Sequence, residues 1–247
     1  MKKLNTIFFI FLMTVSCAQE KESIKYANSI TINDLKDLLS IYSSDDFEGR
    51  QTGTKGDRTA ANFLREFYIN NQIEPALNTI DYFQPYQLNL PGEMYTRNYT
   101  FPEKLRAYNR YAEGVNFVDT QNVASIIKGE IYPDSYLIIT GHLDHVGIDG
   151  DEVYNGADDN GSGTVSILEI AQAFQEAVED GIRPKRSVVF LHVSGEEEGL
   201  LGSEYYVNNS LYPLEDTFAT LNLDMIGRTD PNSCLLYTSP SPRDPKS

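Results

Sequence analysis

The chain has 247 residues, with 20 Lys plus Arg against 36 Asp plus Glu, for a formal net charge of −16. A surface this acidic repels phosphate backbones, which argues against nucleic acid as a partner. The two cysteines, Cys17 and Cys234, leave no disulfide within the sequence between them, so a hydrophobic core must hold the fold, and the length suffices to bury one.

The N-terminus reads Lys2 and Lys3, an apolar run from Ile7 to Val15, then Ser16 and Cys17, the basic, apolar and small-residue order of an export signal. The run is shorter than the about 20 residues a membrane-spanning helix needs. Cys17 resembles the lipid-attachment cysteine of bacterial lipoproteins, which predicts a signal peptide over 1–16 and a periplasmic or cell-surface chain anchored to a membrane through that residue. Residues 17–30 are polar and read as a tether. Thr31 with Asp34 three positions on predicts a helix start, with Leu35, Leu38, Leu39 and Tyr42 on one face. A second helix is expected from about Asp57 to Asn71, where Ala60, Ala61, Phe63, Leu64, Phe67 and Tyr68 keep the 3.6-residue period. Tyr82 to Leu90 is strand-like despite Pro85, and Pro91 to Val118 is Tyr-rich without a clear period.

From Asn122 strand and helix signals alternate: strands at Val123–Ile127, Tyr136–Thr140, Val188–Val193 and Phe218–Leu223, a helix over Gly163–Val178 and a short one after Glu198. The pattern predicts an α/β fold with a mixed, mostly parallel central sheet flanked by helices on both faces. Residues 31–233 form one domain in this reading. Residues 234–247 (CLLYTSPSPRDPKS) break the pattern and read as foreign, similar to one frame of a DNA-library adapter, so the native sequence is expected to continue differently past Ser233.

Three of the expected strands run into acidic or histidine-bearing turns: Gly141-His142-Leu143-Asp144, Ser194-Gly195-Glu196-Glu197-Glu198, and Asp224. The carboxyl ends of strands in an open α/β sheet are where ligands bind. Asn155 to Gly163 (NGADDNGSG) adds consecutive carboxylates in a Gly-rich turn before a helix, where special backbone geometry can aim one of them inward. A carboxylate bridging two cations holds them about 3.5–4 Å apart, the spacing of two-metal hydrolytic sites.

In order and spacing, GHLDHVG, NGADDNGSG, SGEEEGLLGS and LNLDMIG resemble the metal motifs of the co-catalytic, two-zinc aminopeptidase family, which includes glutamate carboxypeptidases and glutaminyl cyclases. The likeness covers roughly Asp34 to Arg228, including SDDFEGRQTGTKGDRTA. It implies a zinc exopeptidase fold acting on peptide substrates, most simply as an aminopeptidase, and identifies no protein partner. Carried over by position, it gives His142 and Asp224 to one zinc, Glu197 to the other, Asp159 as the bridge and Glu196 as general base. Asp144 would accept the second imidazole N–H of His142, and Asp158 is either a supporting residue or part of the turn. His145 and His192 read as packing or surface residues. The family also uses a histidine well downstream of the LDM motif on the zinc held by Glu197, and nothing after Asp224 supplies one. The second position is therefore expected to be half built, and this 247-residue chain is not expected to turn over.

Two rival readings come from other classes. Asp158, Asn160, Ser162, Gly163 and Glu169 fall at positions 1, 3, 5, 6 and 12 of an EF-hand loop, which would bind calcium, but an EF-hand needs a helix entering the loop. A non-catalytic binding domain on the same fold would be expected to have lost ligands, whereas Glu196 and every ligand position present are filled. Within the enzymes, a glutaminyl cyclase or a carboxypeptidase remains the alternative.

Overall fold

The computed structural model describes residues 23–89 and 117–228. The expected signal peptide at 1–16, Cys17 and the tail at 234–247 lie outside the described residues. Helix α1 spans Ile32–Tyr42 and opens as expected, with the Asp34 N–H donating to the Thr31 hydroxyl at 3.2 Å. After a tight turn at Asp45–Arg50 comes helix α2, Lys55–Asn70. Strands β1 (Glu74–Pro75), β2 (Phe83–Asn89), β3 (Phe117–Ile127) and β4 (Tyr132–His142) follow, then a small hairpin of β5 (Gly147–Asp149) and β6 (Glu152–Tyr154). Helix α3 (Gly163–Glu179), strand β7 (Arg186–Val193), helix α4 (Leu201–Asn208) and strand β8 (Thr217–Asn222) complete the described domain.

The principal sheet runs β1-β3-β7-β4-β8, with β2 also on β3. It is mixed, as expected, but the parallel part is narrower than the sequence suggested. Only β7 and β8 lie parallel to β4, whereas β1, β2 and β7 are all antiparallel to β3. Strand alternation sorts the side chains onto two faces. Val123, Ile127, Ile139, Val188 and Phe190 pack beneath α1, α2 and α3, together with Tyr42, Leu64, Tyr68 and Leu168. Ala124, Ile126, Ile138, Val189 and Leu191 face the other way and meet Tyr206 of α4, Leu211 and Tyr212. Helices thus cover both faces, and no described helix is long and apolar enough to cross a membrane.

Part of the expected tether is instead folded. Residues 23–27 are helical, Tyr26 is buried with Ala173 and Ala177 of α3, and Lys25 and the Tyr26 hydroxyl both bond the Asp180 carboxylate. The aromatic ring supplies an apolar contact that the polar composition of 17–30 concealed. The EF-hand alternative at 158–169 is also corrected. The β5–β6 hairpin, rather than a helix, enters the loop, and Glu169, which would be its last ligand, sits buried within α3.

Candidate metal centre

The parallel pairing of β7 and β8 with β4 places the carboxyl ends of all three strands side by side. His142 ends β4, Glu196 and Glu197 follow β7, and Asp224 follows β8. The turn at Ala157–Ser162 brings Asp159 to the same edge, with a cis peptide between Asp159 and Asn160. Asn160 ties that turn to the β8 end: its Nδ2 donates to Leu223 O at 2.9 Å, and its Oδ1 accepts from Met225 N–H at 3.2 Å and Gly163 N–H at 3.1 Å. Gly163 is required by this closeness, since a Cβ there would lie 2.3 Å from Leu223 O and 2.4 Å from Asn160 Oδ1.

His142 is only 3% exposed, and its buried Nε2 has no hydrogen-bond partner. That nitrogen faces Asp159 Oδ1 at 3.2 Å, Asp224 Oδ1 at 3.5 Å and Glu196 Oε2 at 3.9 Å. Zinc bonds of about 2.0–2.2 Å at tetrahedral angles put neighbouring ligand atoms roughly 3.3 Å apart. His142 Nε2 stands at about that separation from Asp159 Oδ1 and from Asp224 Oδ1, and the ligating atoms of His142, Glu196 and Asp224 all lie within 4.8 Å of one another, so the donor set fits a cation. A second group lies alongside it, where the ligating atoms of His145, Asp159 and Glu197 all lie within 4.8 Å of one another. Asp159 therefore sits between the two groups. Glu196 and Glu197 are adjacent in sequence and point to different ones, Glu196 toward His142 and Asp224, Glu197 toward His145.

The charges respond to this crowding. Burial pushes the Glu196 carboxyl up to about 7, with the nearby Asp144, Glu197 and Asp224 carboxylates adding to the shift against the opposing pull of His142. Burial disfavours a charged His142, yet the Asp144 and Asp159 carboxylates beside the ring, with Glu196 further off, outweigh it and push its pKa up to about 11. Asp159 is held below its ordinary value, chiefly by His142.

Two sequence expectations are revised. The Asp144 carboxylate does not hold the His142 ring, because Nδ1 bonds the main-chain carbonyl of Asp144 at 3.1 Å and stands 3.7 Å from the carboxylate. The carboxylate instead accepts from Thr52 Oγ1, Glu196 N–H and Glu197 N–H at 3.0, 3.2 and 3.3 Å. His145 is not a bystander either, since its Nδ1 lies 2.6 Å from Glu197 Oε1. His192 stays away from the group, buried against the Tyr68 hydroxyl at 2.6 Å. Asp158 accepts from Gly227 N–H at 2.9 Å and Ser162 Oγ at 3.3 Å, so it closes the turn onto the loop after Asp224.

Sequence reasoning assigned no role to Arg50, which is fully buried under the site. Its guanidinium donates to Leu143 O (3.0 Å), Tyr42 O (3.1 Å), Asn155 O (2.7 Å) and Gly156 O (2.8 Å), joining the β4 end to the turn that carries Asp159. A second support lies under β7. Tyr86 donates to Ser194 O at 2.7 Å, Asn122 Oδ1 accepts Ser194 N–H at 3.1 Å, and the buried Asp57 accepts from Ser194 Oγ, Thr120 Oγ1 and Gly53 N–H. The available signal was positional: Arg50 and Asp57 fall inside the segment that shares the family likeness.

Residues 122–244 match the model of Peptidase family M28. A Zea mays protein named "Probable glutamate carboxypeptidase" is 34% identical over 115 residues, covering 46% of this chain and 15% of its own. Leupeptin-inactivating enzyme 1 of Streptomyces exfoliatus is 41% identical over 101 residues, covering 40% of this chain and 21% of its own. Among solved structures, BSAP, a zinc aminopeptidase from Bacillus subtilis, superposes with a TM-score of 0.55 at 16% identity, covering 79% of this chain and 69% of that one. That last likeness is one of fold. The chain spans from 14% to 30% of the length of these and similar curated relatives.

Proposed function

We propose that this chain, which belongs to peptidase family M28, carries the metal-binding core of a zinc exopeptidase that removes N-terminal residues from peptides. The observation that carries the reading is the buried, partnerless Nε2 of His142 facing three carboxylates, with a second donor group sharing Asp159. His142, Asp159 and Asp224 would hold one zinc ion and Asp159 with Glu197 a second, and zinc there would supply Lewis acidity and make a water more acidic.

The chain's own residues supply the rest. Glu196 lies beside the ligands, its Oε2 3.9 Å from His142 Nε2, where it can take and return a proton. Its carboxylate takes a proton from the attacking water, whose oxygen forms the new bond to the scissile carbonyl carbon. The carbon–nitrogen bond breaks and the leaving amine receives that proton from Glu196. Asp144 fixes where Glu196 begins, by accepting its main-chain N–H. Export and a lipid anchor at Cys17 belong to the same proposal, supported by the order of residues from Lys2 to Cys17.

The test uses the full-length gene product, with metal analysis and release of N-terminal residues from peptides. About two zinc ions per chain and loss of activity with a chelator are expected. Glu196→Ala should keep its metal and lose about 10²–10⁴ in turnover. Unchanged turnover would reassign the base, and dependence on calcium without zinc would overturn the reading.

A further inference from the structure

We propose that His145 is the residue that positions Glu197 for the second metal, as a hydrogen-bond donor to its carboxylate and not as a ligand. The inference rests on the two-metal reading above and adds a part to it. At 2.6 Å, the His145 Nδ1 to Glu197 Oε1 contact has hydrogen-bond length. It is well short of the roughly 3.3 Å between two ligands of one tetrahedral zinc, whereas His142 meets Asp159 and Asp224 at 3.2 and 3.5 Å. A donor on Oε1 leaves Oε2 of Glu197 free to face the cation.

The surrounding backbone is built to hold this ring. The main-chain N–H of His145 donates to Arg50 O at 3.3 Å. The ring lies over Gly156, where a Cβ would stand 2.5 Å from Cγ and Cδ2 of the imidazole. Gly156 also has φ of +51°, a conformation that suits glycine. Its carbonyl is pinned by Arg50 Nη2 at 2.8 Å, so the floor under the ring is fixed. Glu197 is then held at both ends, its N–H by Asp144 and its carboxylate by His145.

Zinc binding to the 247-residue chain tests the role, read by competition with a chromophoric chelator for wild type, His145→Ala, His145→Asn and Glu197→Ala. His145→Ala is expected to weaken the looser zinc by about 10–100-fold, the usual effect of losing such a support, and to leave the tighter one unchanged. Glu197→Ala should abolish the looser zinc. Asn places an amide N–H near the position of Nδ1, so His145→Asn should restore the looser affinity to within a few fold. An unchanged looser affinity in His145→Ala overturns the proposal. So does a His145→Asn variant as weak as His145→Ala, because a nitrogen ligand, unlike a donor, is not replaced by an amide. A wild-type chain that takes up one ion only also overturns it while leaving the His142 position standing. No zinc uptake by wild type overturns the two-metal reading itself.

Discussion

Arg50→Ala removes the donor that joins four main-chain carbonyls beneath the site. Leu143 O keeps a partner, because the Tyr42 hydroxyl also donates to it at 2.9 Å. Gly156 O likewise keeps the Gly161 N–H at 3.0 Å, whereas the carbonyls of Tyr42 and Asn155 lose the guanidinium that caps them at 3.1 and 2.7 Å. A buried acceptor left without a donor costs about 1–3 kcal/mol, so the two together cost about 2–6 kcal/mol. Relief from burying a cation, whose guanidinium also lies 4.6 Å from the Tyr42 ring centre, offsets part of this. A net loss of about 2–4 kcal/mol is expected, a large share of the about 5–15 kcal/mol by which domains are stable. Arg50→Lys keeps the charge but cannot span four acceptors with one ammonium, so it should fall between the two. Urea unfolding followed by circular dichroism reads both as a lower midpoint at constant slope. If Arg50→Ala unfolds within about 1 kcal/mol of wild type at unchanged slope, the guanidinium is not what holds the turn and the argument fails.

Three further outcomes can be measured. Burial pushes the Asp57 carboxyl from 3.8 up to about 7 in the folded chain, against hydrogen bonds from Gly53, Thr120 and Ser194. A raised folded pKa gives stability that is fully present below about pH 4 and lost as pH rises through 7. The wild-type advantage over Asp57→Asn should therefore shrink by about 4 kcal/mol between pH 4 and 8, and a pH-independent difference in denaturant unfolding refutes it. His142, raised to about 11, carries a proton at neutral pH that a metal must displace. Zinc uptake at pH 7.5 should release about one proton there, read by calorimetry in buffers of different ionisation enthalpy, and His142→Ala should lose both the release and the tighter zinc. Among the described strands β8 lies at the sheet edge with Phe218 64% and Leu221 52% exposed. Leu221→Lys should reduce self-association in light scattering without a stability loss above about 1 kcal/mol, and unchanged association would show that this edge does not mediate it.

The legible parts of the sequence were those with strong local signals. The apolar period of Leu35, Leu38, Leu39 and Tyr42 and the Thr31–Asp34 cap gave α1, and the β-rich runs ending in Thr140, Val193 and Leu223 gave the strands that carry the site. Hidden features depended on contacts distant in sequence. Nothing local distinguishes His145, facing Glu197 52 residues away, from a surface histidine. Arg50 reads as one more polar residue until 105 residues later Asn155 presents its carbonyl. Tyr26 looked like part of a tether because its neighbours are polar, although its ring packs on α3. The narrower parallel part of the sheet had the same origin, since strand direction is set by partners and not by the strand's own residues.

The arrangement of the supports explains why consecutive glutamates can serve different metals. A flexible loop carrying Glu196 and Glu197 would let both carboxylates collapse onto the same cation. Here the backbone is fixed from below at Ser194, by Tyr86 and Asn122 on the antiparallel strands, and from the side at Glu196 and Glu197, by the Asp144 carboxylate that follows β4. With the main chain clamped at consecutive residues, the side chains must diverge, Glu196 toward His142 and Glu197 toward His145. The parallel strands thus deliver the ligands to one edge, and the antiparallel strands hold the loop that separates their tasks. On this reasoning Asp144→Asn should cost more than a ligand's neighbour ordinarily does. Its amide nitrogen would face one of the donors from Thr52, Glu196 or Glu197, freeing the loop to bring both carboxylates to one ion. Zinc titration would then show the two binding steps merging into one weaker step, whereas two steps as well separated as in wild type would show that the clamp lies elsewhere.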